Sequence, residues 1–143
     1  MKMRVSLQFP IAVNALLLLS LGNNSRVTSE KIAESSGCNA VIVRNIYKKL
    51  RDADLISTSS GKGATALTRD LEDISLWDIY AAVETAQTDE IFKIPPNISD
   101  TCPVGSQLRS LLINHLDDSI AALREEMSKV SLAMLADELQ RPV

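Results

Sequence analysis

The stretch TSEKIAESSGCNAVIVRNIYKKL, residues 28–50, decides the fold of this chain. Thr28 or Ser29 can cap a short amphipathic helix, because hydroxyl oxygens accept the free backbone N–H groups at a helix start. A glycine-containing break at residues 36–38 ends that helix, and Asn39 can cap a second one. The pattern therefore predicts two short helices joined by a tight turn, which is a helix-turn-helix.

The residues that follow predict a β-hairpin. Two short segments, 55–59 and 64–68, flank a tip at Gly61-Lys-Gly63, and this arrangement is typical of paired strands. A helix-turn-helix followed by a hairpin forms a winged unit, whose second helix can enter a DNA major groove.

The N-terminal segment predicts a first helix from about Ser6 to Leu21, nearly apolar because the winged domain packs around it. The segment resembles a signal peptide, but Asn14 interrupts the apolar run and no cleavage site follows. The run is also too short to span a bilayer. We therefore expect a cytoplasmic chain that does not engage a membrane.

Downstream of the hairpin, Ser75 and Asp78 have the spacing of a capping box. Periodicity then fails, and Pro95-Pro96 forbids a continuous helix. Pro103 can open a long helix at its first position. Ser131 can cap a terminal helix, with three leucines predicted to face inward: Leu132, Leu135 and Leu139.

The long helix carries an apolar stripe at steps of three and four residues, which is typical of a helix that crosses a partner helix. We predict a dimer interface made of Leu108, Leu112, Leu116, Ile120, Leu123 and Met127. The fold class is thus mainly α with a small β-hairpin wing: a winged helix-turn-helix domain plus a long C-terminal dimerisation helix. The predicted divisions are a DNA-binding domain at 1–86, a hinge or sensor loop at 87–103, and a dimerisation helix with a short terminal helix at 104–143.

Charge is distributed unevenly along the chain, although the net charge is only −3. Residues 26–69 hold eight basic and four acidic side chains, whereas residues 70–143 hold five basic and fourteen acidic ones. A basic module joined to an acidic one fits a protein that meets phosphate with one end. The alternative interpretation is that the basic residues form a solvated face.

The second helix supplies the residues predicted to read DNA. Arg44 can contact guanine in a bidentate manner, and Asn39 can pair with adenine or serve only as the cap. Lysines farther along the helix are placed for phosphates. The complete predicted set is Ser29, Lys31, Asn39, Ala40, Val41, Arg44, Lys48, Lys49, Lys62 and Thr65.

The sequence contains no motif that is typical of catalysis or metal binding. His115 is the one histidine, and it lies beside the apolar stripe. No phosphate loop, paired-carboxylate motif or metal-spaced cluster is present. We predict that the protein is not an enzyme and holds no metal or cofactor. A protein–protein adaptor, docking through the acidic half, remains the alternative to DNA binding.

Nearly the whole chain resembles the Rrf family of small bacterial winged-helix regulators, the group that contains IscR, NsrR and CymR. The resemblance is carried by the apolar first helix, by residues 28–34 and 39–56, and by the segments Leu67-Thr-Arg-Asp and ISLWDIYAAVE (74–84). Cys102-Pro-Val-Gly at the head of the long helix adds a likeness to the YwnA-type subgroup. The resemblance implies homodimers, joined by the long helix, that bind palindromic operators and mostly repress.

Two departures from the family pattern affect function. The family's wing arginine is absent from Ser60-Gly-Lys-Gly-Ala-Thr65, where Lys62 is the substitute. Cluster-binding members place three cysteines before the long helix, and this loop holds Cys102 alone, so an iron–sulfur cluster is not expected. The sensing alternatives are a thiol switch at Cys102 or Cys38, or a small-molecule or protein effector acting on residues 87–103.

Overall fold

The computed structural model describes residues 7–21, 28–58, 65–84, 87–95 and 99–140. The chain forms two compact units: residues up to Glu84 join those from Ser128 onward, and residues between them form the second unit. The elements are α1 (Gln8–Leu21), α2 (Ser29–Ser36), α3 (Ala40–Asp52), β1 (Ile56–Thr58), β2 (Thr65–Leu67), a 3-10 turn (Leu71–Asp73), α4 (Leu76–Val83), α5 (Thr88–Ile91), α6 (Gly105–Ser128) and α7 (Leu132–Gln140). The predicted mainly helical class with a small hairpin is confirmed.

Short polar side chains and one glycine fix the helix-turn-helix. The Thr28 hydroxyl accepts a hydrogen bond from the Lys31 N–H at 3.2 Å, so threonine, and not the serine after it, caps α2. Gly37 ends α2 at φ 70°, a left-handed conformation that glycine adopts without steric cost. Asn39 Oδ1 accepts from the Ile42 N–H at 3.0 Å and begins α3, as predicted.

The hairpin is antiparallel, with Thr58 of β1 opposite Thr65 of β2. Its tip, residues 59–64, lies outside the described residues, and so does the predicted wing contact Lys62. The two strands are short, and a hairpin of this size is stable only when it packs on other elements. Here β1 contacts α3 and β2 contacts α1.

Helix α1 contributes to the core of the first unit. Its Ala12, Ala15 and Leu16 are fully buried, and the helix contacts α2, α3, α4, β2 and α7. Alanine at two of these positions permits close helix packing. Large side chains from the surrounding elements complete the core: Ile32, Val43, Ile46, Leu50, Leu55, Ile74, Ile79 and Leu132. Each contributes about 1.5–3 kcal/mol relative to an exposed position.

Helix α4 begins with the predicted capping box. The Ser75 hydroxyl accepts from the Asp78 N–H at 3.1 Å, and the Asp78 carboxylate accepts from the Ser75 N–H at 3.0 Å. Two free donors at the helix start are therefore satisfied reciprocally.

Removing this cap is expected to destabilise the protein moderately. Ser75→Ala should lower the free energy of unfolding by about 1 kcal/mol, because the Asp78 N–H loses its acceptor. Urea unfolding at a fixed protein concentration measures the change. Ser119→Ala on the exposed side of α6 serves as the control. Equal stability of the two variants would show that the capping box contributes nothing.

Helix α7 packs within the first unit, against α1 and the 3-10 turn. The Ser131 hydroxyl caps it, accepting from the Met134 N–H at 3.2 Å, as predicted. Backbone bonds also join its start to the start of α4, since the Leu132 N–H donates to the Ile74 carbonyl at 2.8 Å. This arrangement differs from the predicted grouping of α7 with the dimerisation segment. The predicted inward position of Leu139 is wrong, because that residue is 61% exposed.

The second unit consists of α5 and α6. The helix α6 begins at Gly105, two residues after the predicted first residue Pro103, which lies in the preceding turn. The Ser106 N–H already donates to the Cys102 carbonyl at 2.9 Å, so helical bonding starts before the helix proper. No residue of α6 is buried within the described chain.

Arg109 ties the segment before α6 to that helix. Its Nη1 donates to the carbonyls of Ile94 and Pro95, each at 3.0 Å, and its Nη2 pairs with Asp89 at 2.9 Å. The Thr88 hydroxyl also donates to the Asp117 carboxylate. The predicted hinge segment therefore has ordered contacts at residues 88–95. One helical turn, α5, lies there.

Candidate nucleic-acid interface

Helix α3 is buried on one side and exposed on the other. Val43, Ile46, Tyr47 and Leu50 are buried, which orients the helix firmly on the core. Burial raises the pKa of Tyr47 to about 12, so this phenol stays neutral. The opposite face begins at the Asn39 cap and is open to solvent.

The predicted base-reading residues lie in the first turns of α3, where Val41 and Arg44 are one turn apart and Asn39 is the cap. Asn39 and Val41 are exposed, Val41 to 59%, and Ala40 between them is half-buried. The Arg44 side chain, one turn later, is 60% exposed. In a helix-turn-helix complex, the N-terminal residues of the second helix reach base edges. A guanidinium and an exposed apolar side chain on one surface are the groups that direct readout of guanine and of a thymine methyl would require.

Arg44 forms an ion pair with a side chain of the neighbouring helix. Its Nη2 lies 3.4 Å from Oε1 of Glu30 in the first turn of α2, and the two side chains are 60% and 69% exposed. Glu30 was not among the predicted site residues. The pairing spans 14 residues, so helical spacing within one element gave no signal for it.

Two residues of the predicted DNA-contacting set are lysines open to solvent. Lys31 on α2 and Lys48 on α3 are exposed. Ser29, the first residue of α2, is half-buried, and so is Thr65 on β2. The Arg51 guanidinium donates to the Thr58 hydroxyl at 3.4 Å, which joins α3 to the first strand of the wing.

Lys49 lies apart from the exposed basic residues. Its Nζ donates to Gln8 Oε1 at 2.5 Å on α1 and to the Val83 carbonyl at 3.4 Å on α4. Position 49 follows the buried Ile46 by three residues, so its half-buried side chain runs along the edge of the core-facing side. The sequence assigned this lysine to phosphate, whereas its contacts join three helices of the winged unit.

The two cysteines occupy different environments. Cys102 is exposed in the turn before α6, and its Sγ accepts from the Gly105 N–H at 3.4 Å. Backbone hydrogen bonds from Gly105 and Val104 lower the pKa of the Cys102 thiol, because they stabilise the thiolate. Cys38 is half-buried directly after the turn glycine.

The dimer-interface residues predicted on α6 are exposed or half-buried. Leu112 and Leu123 are 38% and 42% exposed, and Leu111, which is not in the predicted set, is 53% exposed. Within the described ranges, no three histidine, cysteine or carboxylate side chains lie close enough to hold a metal ion. In the same ranges, no helix combines the length and apolarity needed to cross a membrane.

Comparison with known proteins identifies the family of this chain. Residues 5–138 match the Rrf2 family, described as "Iron-dependent Transcriptional regulator". The chain is 29% identical over 135 residues to YwnA of Bacillus subtilis (strain 168), named as an HTH-type transcriptional regulator, with 94% of this chain and 98% of YwnA covered. It is 30% identical to YffB of Lactococcus lactis subsp. lactis (strain IL1403), which carries the same description, with 96% and 90% covered.

A solved structure agrees with these sequence relatives. A transcriptional regulator from Lactobacillus plantarum, so named with its structure, superposes with a TM-score of 0.72 at 25% identity. The superposition covers 94% of this chain and 91% of that one. The match to the family extends over nearly the entire chain, from the first helix to α7. This protein therefore belongs to the Rrf2 family of DNA-binding transcriptional regulators.

Proposed function

We propose that the protein is a cytoplasmic homodimeric repressor that binds a palindromic operator through the start of α3. The observation that carries this proposal is the exposure of Asn39, Val41 and Arg44 at the start of a helix whose other face is buried. A firmly oriented helix with a polar and cationic exposed start suits base readout. Lys31 and Lys48 contact phosphates on either side of it.

The homodimer is formed through α6. This helix has 24 residues, none of them buried within one chain, and it carries a continuous apolar stripe centred on Leu116. Pairing of two copies removes that stripe from water, and a two-fold interface uses the same patch on both subunits. The two recognition helices then meet half-sites about 34 Å apart, one helical turn of DNA.

Repression follows from occupancy of the promoter, and the operator is palindromic because it mirrors the two-fold axis of the dimer. The family relatives named above regulate transcription, and we propose no catalytic activity for this chain. An adaptor function would dispense with DNA altogether and use the acidic second half for docking.

The side chains present do not fit an iron–sulfur cluster within one chain, despite the iron dependence in the family's description. Such a cluster takes four ligands, chiefly cysteine thiolates, and this chain has two cysteines. Cys102 lies in the second unit and Cys38 in the helix-turn-helix of the first. We therefore propose a regulator that acts without a cluster.

The signal that we propose is oxidation of Cys102, because its thiolate is stabilised and its side chain is exposed. Hydrogen peroxide should release operator DNA from the wild-type protein, whereas Cys102→Ser should stay bound. A gel-shift titration with peroxide measures the release. The rate of release should rise with pH through the lowered pKa, since only the thiolate reacts.

Cys38→Ser is the matched control and should still be released by peroxide. If peroxide releases DNA from Cys102→Ser but not from Cys38→Ser, the thiol that senses oxidant is Cys38, in the turn of the helix-turn-helix. If peroxide does not change DNA binding by the wild-type protein, the other alternative, an effector acting on residues 87–103, is favoured.

The function itself is tested by selecting genomic fragments with the purified protein at near-physiological salt. We expect enrichment of a palindrome, with affinity that falls steeply as salt rises because phosphate contacts release counterions. Binding without salt dependence, or no enrichment by a folded dimer, would favour the adaptor function instead.

A further inference from the structure

The Glu30–Arg44 pair places a carboxylate inside the proposed DNA-binding surface. The carboxylate lies on the first turn of α2, between Ser29 and Lys31, and its oxygen is 3.4 Å from Arg44 Nη2. In helix-turn-helix docking the first helix crosses the DNA backbone. A negative charge at this position opposes phosphate, so it lowers affinity for DNA of any sequence.

The same carboxylate has a second effect through Arg44. Arginine has a long side chain with several rotatable bonds, and the contact with Glu30 restricts it. One terminal nitrogen faces Glu30, which leaves the other guanidinium donors for the O6 and N7 atoms of a guanine. While it is paired with Glu30, the Arg44 guanidinium is also less available to phosphate oxygens, which carry no sequence information.

We propose that Glu30 is a specificity-determining residue, which orients Arg44 toward guanine and suppresses binding to non-operator DNA. The proposal rests on the proposed function, since it needs an operator that Arg44 reads. Glu30 is a positioning residue: it acts through Arg44 and contacts no base itself. Its removal should therefore change discrimination between sequences more than it changes the affinity for the operator.

The test compares full-length wild-type and Glu30→Gln proteins on two duplexes of equal length at one salt concentration. One is the operator recovered by fragment selection, and the other is a scrambled duplex. We expect tighter binding of Glu30→Gln to the scrambled duplex and a roughly three- to tenfold lower discrimination ratio, as befits an exposed ion pair acting in two half-sites.

Glu34→Gln is the matched control. Glu34 is exposed one turn farther along α2, and its substitution removes the same charge. It should shift both duplexes by similar factors and preserve the ratio. Thermal unfolding of both variants checks that α2 is intact, since a first-turn carboxylate also stabilises its helix.

A double-mutant cycle with Arg44→Ala isolates the positioning role. In the Arg44→Ala background, Glu30→Gln should leave the discrimination ratio unchanged. If Glu30→Gln and Glu34→Gln preserve the wild-type ratio equally, Glu30 contributes only general charge and the proposal is overturned. If the wild-type protein itself shows no sequence preference, the proposed function fails, which is a separate and recognisable outcome.

Discussion

Replacing Leu112 with glutamate is expected to convert the homodimer into monomers. Leu112 lies on the apolar stripe of α6 and is 38% exposed, so the single chain tolerates a charge there. In a two-fold dimer the change occurs twice, and each carboxylate enters an apolar interface without a partner. An unpaired buried charge costs about 3–5 kcal/mol, which raises the dimer dissociation constant more than about 100-fold. Sedimentation equilibrium over a range of concentrations measures this constant.

Ser110→Glu is the matched control for this experiment. Position 110 is exposed on the same helix, about 160° around its axis from Leu112. The variant adds an identical charge and should remain dimeric. If Leu112→Glu dimerises as tightly as the wild-type protein, the stripe is not the interface.

Replacing Arg44 with alanine is expected to reduce operator affinity by about 1–3 kcal/mol per half-site. The loss has this size because the substitution removes a bidentate contact with guanine, and that contact discriminates guanine from the other bases. Sequence preference at one position of each half-site should relax. Fluorescence anisotropy with the operator and single-base variants measures both effects.

Lys48→Ala provides the contrast. This exposed lysine is predicted to contact phosphate, so its removal should weaken binding to all duplexes. The slope of log affinity against log salt concentration should fall by about one per half-site. Lys49 is unsuitable for this comparison, because its ammonium group bonds within the winged unit. Equal effects of Arg44→Ala and Lys48→Ala on specific and random duplexes would contradict the division between base and phosphate contacts.

The features that the sequence predicted correctly depend on neighbours close along the chain. The caps at Asn39 and Ser75 each use a backbone N–H three residues away, so residue type and spacing suffice to predict them. The left-handed turn at Gly37 has the same local origin.

The features that the sequence did not predict depend on contacts between distant segments. Periodicity places Lys49 at the edge of a buried face, but it cannot reveal that Gln8 and Val83 provide acceptors there. The Glu30–Arg44 pair and the packing of α7 on α1 likewise join elements far apart in sequence. Such pairings follow from the folded arrangement, for which a single sequence carries no local signal.

The backbone hydrogen bonds between the start of α4 and the start of α7 affect how the chain folds during translation. Leu132 is fully buried in the winged unit, and yet 55 residues lie between Ser75 and Ser131, the cap of α7. During translation the unit lacks part of its core until those residues are added, a delay of several seconds at about 5–20 residues per second. The nascent chain thus exposes an incomplete core during that interval, and chaperones that bind apolar segments have a defined time in which to act.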